Sequence, residues 1–416
     1  MPRTIASSAS ALDLLRRADW LDAGRVTAYA RIFVAVLILA AIGWLAASKG
    51  LIDPAGHPIG TDFLDVYDAG LMARDGHPSL VYDWQAHGAV EAAVVAFDGY
   101  YGWHYPPMFL FLAEPLAALP YLAALGLYLA VTFALYLAAL PALARRPTGS
   151  PAAAAAWPLS AMLWWAAGFP AVFLNLGHGQ NGFLTTALLA GGLALTGRRP
   201  FMAGVLFGCL AYKPQFAVLI PVALLAGRQW KTVATTAATA GGLALASFAV
   251  FGPDTWIAFF GSLDKTRTLV LEQGGTGWPK IVSVFSAVRM LGGGIPAAYA
   301  LQTAVTLAAV AAVAWVWVRR PNSTLAAGLT ALAVPLTTPY VLDYDLVVIA
   351  PAVFLLARLG VDTGFRPWEK SLLALITLAP LLARGIGMSL GVPIVPPILL
   401  LTLAVFLRRM GEDIHP

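Results

Sequence analysis

Long apolar runs separated by short polar breaks organise this chain. A bilayer core of about 30 Å is crossed by about 20 apolar residues in helix. Runs near that length occur at 28–48, 121–143, 152–174 and 231–251, and again toward the C-terminus. Basic residues orient them, because Lys and Arg favour the cytoplasmic side. Arg16, Arg17, Arg25 and Arg31 precede or open the first run, no convincing cleavage site follows it, and it reads as a retained helix with a cytoplasmic N-terminus. Arg145 with Arg146 marks the next cytoplasmic turn, so an odd number of crossings must precede it. The apolar stretch from Pro106 to Leu143 is long enough for two crossings, but Glu114, Pro115 and Pro120 break it. Pro107 to Leu119 therefore reads as a re-entrant or interfacial helix, and 121–143 as the crossing.

The later basic markers are Arg198 with Arg199, Arg228 with Lys231, Arg319 with Arg320, Arg358, and Arg408 with Arg409. The residues between Arg199 and Arg228 leave about 14 for each of two helices, or about 21 Å at 1.5 Å per residue. The tip of that hairpin, Tyr212-Lys213-Pro214, falls at membrane depth. A second short pair turns around 339–345. The expected architecture is an all-α polytopic membrane protein of about twelve transmembrane helices with both termini cytoplasmic. It comprises a cytoplasmic segment 1–27, one transmembrane domain 28–409 and a tail 410–416, with large outer loops at 49–120 and 251–294. No repeat with a period of 20–50 residues stands out, and no inverted repeat of the kind common in secondary transporters.

Composition agrees with this pattern. The chain has 416 residues, of which 59% are hydrophobic and 11% charged, against roughly 25% charged in a soluble domain. The net charge of +5 does not point to nucleic acid, because the basic residues lie in pairs between apolar runs rather than in one patch. Cys209 is the single cysteine, which excludes a disulfide framework, and it reads as a small buried hydrophobe.

Polar chemistry concentrates on the outer side of this topology. The break from Gly60 to Pro107 holds Asp62, Asp65, Asp68, Asp75, Asp83, Glu91 and Asp98. Asp62 follows Gly60-Thr61 and opens a predicted amphipathic helix on the membrane surface. A carboxylate there can serve as a general base in a cavity or as a helix N-cap. Asp65 and Asp68 compete with a solvated helix face. Lys213 lies inside an apolar hairpin, where a charge costs about 3 kcal/mol on insertion scales; it suits a phosphate arriving from the lipid, or a pairing with Asp343 or Asp345. His178, Gln180 and Asn181 form a polar knot that fits sugar hydroxyls or loop capping. His104 and Tyr105 precede two prolines that fix entry into the re-entrant helix. Tyr82, Trp84, Tyr100, Tyr101 and Trp103 suit sugar stacking or a membrane aromatic belt. No zinc-ligand spacing, phosphate-binding loop or nucleophile elbow is present. No residues are assigned to a metal; the acid-rich first loop carries only a weak signal for a divalent cation.

GTDF in the first loop, YPP before a short helix, GHGQN, the RRPFMAGVLFGCLAYKPQFAVLIPVALLAGRQWK hairpin and TPYVLDYD together resemble the GT87 (DUF2029) family of glycosyltransferases. The likeness runs over most of the chain, roughly Gly60 to Arg358. It implies a GT-C architecture in the bacterial cytoplasmic membrane and transfer of a sugar from a polyprenyl-phosphate carrier to an acceptor hydroxyl on the extracytoplasmic face. By resemblance Asp62 is the general base, Lys213 holds the donor phosphate, and Gln180 with Asn181 lines the sugar pocket. His178, His104, Tyr105, Asp65, Tyr340, Asp343 and Asp345 join them in the sugar and acceptor site. Mannosyltransferase members carry a tryptophan and paired histidines where this chain has Tyr340, Asp343, Tyr344 and Asp345, so the likeness does not assign mannose. The partners expected are membrane lipids, a lipid-linked sugar and a glycolipid or glycan acceptor, with no tightly bound cofactor and no nucleic acid. The rival readings are a lipid or polysaccharide flippase and a non-catalytic sugar-lipid-binding protein.

Overall fold

The computed structural model describes residues 10–144 and 158–412 and consists of helices, with only isolated β-bridges among the described residues. Arg145, Arg146, the start of the predicted 152–174 helix, residues 1–9 and the end of the predicted tail lie outside the described residues. A short helix α1 (Ala11–Arg17) precedes α2 (Ala23–Ala47), the first predicted crossing. Asp22 caps α2, its carboxylate accepting from the Arg25 N–H at 2.8 Å. The segment between α2 and the next long helix contains α3 (Phe63–Arg74), α4 (Trp84–Val94) and α5 (Pro107–Leu116), and Pro120 then releases the chain into α6 (Tyr121–Ala144).

Next come α7 (Leu159–Ala167) and α8 (Ala171–His178), bent 56° where Gly168-Phe169-Pro170 interrupts them, and α9 (Gly182–Leu195). The short hairpin is α10 (Pro200–Tyr212) and α11 (Pro214–Ala226), followed by α12 (Trp230–Phe251). The segment 252–294, the second of the loops expected from sequence to lie outside, holds α13 (Pro253–Thr266) and α14 (Val284–Met290). The chain ends with α15 (Ile295–Arg319), α16 (Thr324–Leu336), α17 (Asp343–Thr363), α18 (Glu369–Leu390) and α19 (Val395–Glu412).

Among the described residues six helices are long and apolar enough to cross a membrane: α2, α6, α12, α15, α17 and α18. The bent α7–α8 pair adds a seventh if it is one span. This is the composition of a multi-pass membrane protein, with fewer full-length spans than the about twelve crossings expected, among which the pairs at 199–228 and around 339–345 were expected to be short. The difference lies in α9, α10, α11 and α16, which are shorter apolar helices, and in α19, which ends in Arg408, Arg409 and Glu412. Counting sides from basic pairs assumes that each apolar run meets lipid over its full length. A helix enclosed by other helices is under no such constraint, because protein rather than lipid covers its side chains. Every residue from Thr324 to Ala333 in α16 is buried. In the most apolar window of α17, 72% of residues are buried, against 6% in α2 and in α12. The innermost helices are therefore α16 and α17, and α2 and α12 present most of their surface outward.

Among the described residues two main apolar cores result, beside a small third cluster of Leu271, Phe285 and Ala298. The larger joins α6 to α11 with α15 to α19, and the smaller joins α3 and α5 with the start of α6 and with Tyr212, Phe251 and Phe259. The sequence predicts α3 as a helix on the membrane surface; instead it is enclosed, with Phe63 through Gly70 all buried. Its acids are therefore not on a wet face. Cys209, expected to be buried, is only partly so.

At Gly70 the backbones of α3 and α5 come so close that an added Cβ would lie 2.2 Å from the Ala113 carbonyl oxygen. Backbone cannot rotate away as a side chain can. Gly70→Ala is therefore expected to destabilise the protein by about 1–3 kcal/mol, the usual cost of overpacking. A thermal-unfolding scan in detergent checks this, with Gly126→Ala, which meets nothing within 4 Å, as the neutral control.

Candidate active site

Burial sorts the acids of the first loop. Asp75, Asp83 and Asp98 are exposed, and Asp83 caps α4. Asp62, Asp65, Asp68 and Glu91 are buried. Asp62 occupies the N-cap position of α3 but makes no side-chain capping bond, which removes the capping alternative. Its Oδ2 instead accepts from Gln180 Nε2 at 3.0 Å, across 118 residues of sequence. Its Oδ1 faces His178 Nδ1 at 3.7 Å and Lys280 Nζ at 3.8 Å.

The backbone that delivers Asp62 is unusual. Gly60 and Thr61 both have positive φ, 79° and 21°, a conformation that favours glycine and is held at Thr61 only by its surroundings. Thr61 Oγ1 lies 2.8 Å from His178 Nδ1. Gly179, at φ 61°, lets the GHGQN turn settle on this strained corner, where an added Cβ would lie 2.8 Å from the Gly60 carbonyl oxygen. The two motifs thus fit each other backbone to backbone.

Gln180 is the hub of the cluster. Its Nε2 also donates to Tyr344 Oη at 3.3 Å, and its Oε1 accepts from Tyr105 Oη at 3.2 Å and from the Asn181 N–H at 3.1 Å. Asn181, the next residue, accepts from Lys213 Nζ at 2.9 Å. Lys213 also contacts Asp345 Oδ1 at 2.6 Å, and both side chains are nearly fully buried. The structure thus realises the acid pairing of Lys213 that the sequence offered as one of its two uses. Asp345 is held in turn by the Leu342 N–H at 3.1 Å.

Two cations that sequence reasoning passed over complete the site. Arg384 contacts Asp343 at 2.6 Å and lies 3.3 Å from His178 Nε2, and its side chain remains 34% exposed. It stands within the apolar run of α18, so the rule that singled out Lys213 could have found it. Lys280 has no comparable signal in sequence. It reaches Asp62 because the segment 252–294 is stitched to the 340s: Ile281 bridges Leu342, and the Asp343 N–H donates to the Lys280 carbonyl at 3.0 Å. Its ammonium also lies 5.3 Å over the Tyr344 ring.

The cluster therefore gathers Asp62, His178, Gln180, Asn181, Lys213, Tyr105, Asp343 and Asp345. The outlying members are His104 and Tyr340. His104 Nδ1 is 3.0 Å from Thr266 Oγ1, and its ring meets Tyr340 edge-on at 6.4 Å. Burial, together with the nearby His87, holds His104 down to about 4, so the ring is neutral at neutral pH. The loop aromatics pack mostly among themselves: Trp103 is buried against Phe109 and Tyr105, and Trp84 lies under Lys265. A separate cavity of about 740 Å³, with an almost wholly apolar lining, opens between α2 and the α17–α18 region and contains none of these residues.

Electrostatics divides the two acids at the start of α3. Burial raises Asp62, but Lys280, His178 and the bond from Gln180 outweigh it and hold the carboxyl below its usual range. Burial raises Asp65 well above that range, and Asp62, Glu91 and Asp68 raise it further. The two carboxyls are shifted in opposite directions, the separation that lets neighbouring carboxyls take different roles. Asp68 rises to about 9, through burial and then Glu91, and Glu91 to about 8, its burial outweighing the Tyr101 N–H.

The sequence model described as glycosyltransferase family 87 matches residues 103–339. No curated protein and no solved structure matches the chain.

Proposed function

The chain belongs to glycosyltransferase family 87, and from that premise we propose that it moves a sugar from a polyprenyl-phosphate carrier to an acceptor hydroxyl, with inversion and with Asp62 as general base. The observation that carries this reading is the buried Asp62, aimed by Gln180 into a cluster that also holds three cations. Inversion at an anomeric carbon needs one base for the incoming hydroxyl and positive charge for the departing phosphate. Asp62 takes the hydroxyl proton as the new C–O bond forms, and the bond to the carrier phosphate breaks with its electron pair on the phosphate oxygen.

The cations divide by access. Lys213 is 5% exposed and engaged twice, so to reach a phosphate it would have to release Asp345. Arg384 and Lys280 are more open; Arg384 is held by Asp343 at 2.6 Å, whereas Lys280 comes only within 3.8 Å of Asp62. In this proposal they take the phosphate, and Lys213 fixes the Gln180–Asn181 turn from beneath. The sugar lies between, against Gln180, Tyr105, Asp65 and Tyr344. The membrane is the bacterial cytoplasmic one, with the site on its extracytoplasmic face and both termini cytoplasmic.

Purified protein given a radiolabelled polyprenyl-phosphate sugar and a membrane extract as acceptor tests the reaction. Free polyprenyl phosphate should appear together with a labelled glycan; binding or transbilayer movement of intact donor without turnover would overturn the assignment. Arg384→Gln is expected to raise the donor KM by about 10- to 100-fold, the loss of a charge-assisted phosphate contact, with a smaller change in kcat.

A further inference from the structure

A second cluster of ionisable groups lies in the segment between α2 and α6, apart from the site above. Asp68 on α3 and His87 and Glu91 on α4 each turn a ligand-type atom to a common point, and these three atoms lie within 4.8 Å of one another. All three residues are at most 1% exposed. No donor reaches either carboxylate oxygen of Asp68, and His87 Nε2 has no hydrogen-bond partner.

From this geometry we propose that Asp68, His87 and Glu91 bind one divalent transition-metal ion, best matched by zinc, that ties α3 to α4.

The histidine is prepared for it. Its Nδ1 lies 3.0 Å from the Val81 carbonyl oxygen, which can only accept. Nδ1 therefore carries the proton, and Nε2 presents a bare lone pair toward Glu91 Oε1 at 3.9 Å. A carbonyl that orients a ligating imidazole in this way is the usual outer partner at metal sites. Glu91 is oriented too, its two oxygens each accepting from the Tyr101 N–H at 3.1 Å. One imidazole and two carboxylates suit zinc and its first-row neighbours, whereas calcium and magnesium prefer oxygen ligands throughout. Tetrahedral zinc with bonds of about 2.1 Å places its ligand atoms about 3.4 Å apart, so a set that lies within 4.8 Å needs to close by at most about 1.4 Å at its widest.

A proton shared between Asp68 and Glu91 is the competing occupant. It neutralises one charge but leaves His87 Nε2 with no donor. An ion satisfies all three groups together.

The location gives the ion a positioning role. Asp68 lies two turns along α3 from Asp62, and Val81, which holds His87, belongs to the 3₁₀ segment that connects α3 to α4. Fixing α3 against α4 would fix the angle at which α3 presents its N-terminus. The proposal does not rest on the glycosyl-transfer reading, and its test does not use that activity.

The test is metal content and chelator response of the full-length protein in detergent, purified without added metal. Plasma mass spectrometry should find about one zinc per chain, EDTA should lower the melting temperature, and ZnCl₂ should restore it. Asp68→Asn and His87→Gln should each lower the bound zinc at least about fivefold and abolish both temperature shifts, as loss of a ligand does. Asp98→Asn, an exposed acid of the same loop, should change neither. Should the ligand variants fail to fold, the wild-type measurements decide alone. Wild-type protein that holds less than about a tenth of an equivalent after incubation with ZnCl₂, and melts identically with EDTA, would overturn the proposal. Unchanged zinc in a folded Asp68→Asn protein would overturn it equally. A shared proton predicts both of those results.

Discussion

Asp62→Asn is expected to lower kcat by about 10²–10⁴-fold, the usual contribution of a positioned general base, with little loss of stability. The amide keeps an oxygen for the Gln180 donor and removes only the charge, so the corner at Gly60-Thr61 and the GHGQN turn that rests on it should stay in place. Single-turnover release of polyprenyl phosphate measures the loss, and the melting temperature checks the fold. Asp98→Asn is the control, since that acid is exposed. An Asp62→Asn protein with wild-type turnover would refute the assignment.

The pH dependence carries a sign of its own. A base acts only above its pKa, and Asp62 is held below the usual carboxylate range, with Lys280 the strongest of the groups that oppose its burial. The acid limb of kcat/KM, which reports the free enzyme, should therefore lie below that range and leave activity level above it. In the proposed mechanism Lys280 turns to the donor phosphate. The limb in kcat, which reports the donor complex, should then lie at higher pH than the limb in kcat/KM.

The second large effect concerns stability. Lys213→Met leaves the buried Asp345 carboxylate without its closest cation, and Asp345→Asn leaves a buried ammonium with only neutral amide oxygens and no paired carboxylate. Each single change is expected to cost about 3–5 kcal/mol, as when one partner of a buried pair is removed. The double variant Lys213→Met/Asp345→Asn should recover most of that loss, because no buried charge is then left alone. A double-mutant cycle on unfolding midpoints measures the coupling. The same proteins separate the two roles open to this lysine. If Lys213 supports the Gln180–Asn181 turn, the double variant regains stability and keeps a donor KM near wild type. If Lys213 holds the phosphate, stability returns but the raised KM remains.

Much of the architecture is legible in the sequence because it depends on local properties. Apolar length located α2 and α6, and proline breaks located the short α5 and the α10–α11 hairpin. The number of full crossings was not legible in the same way. It depends on whether a helix touches lipid or other helices, and a run of apolar residues looks alike in both settings. Hence α16, which lies inside, counts as a crossing by its apolar sequence although it is shorter than a full span.

The site divides along the same line. Asp62, Gln180, Asn181 and Lys213 could be marked from sequence because each is polar where a plain span or loop needs no such group. Whether Asp62 caps a helix or faces a cluster depended on Gln180 arriving from 118 residues away, and whether Lys213 is free or paired depended on Asp345 arriving from 132. Lys280 was invisible because its approach to Asp62 is set by the seam between the segment 252–294 and the 340s. The sequence alone determined a helical membrane protein with a polar first loop, through hydrophobic length and the positions of proline and charge. Only the tertiary structure decided which of its acids are buried, which cation each one meets and in which direction Asp62 and Asp65 are shifted, because those follow from packing between segments far apart in the chain.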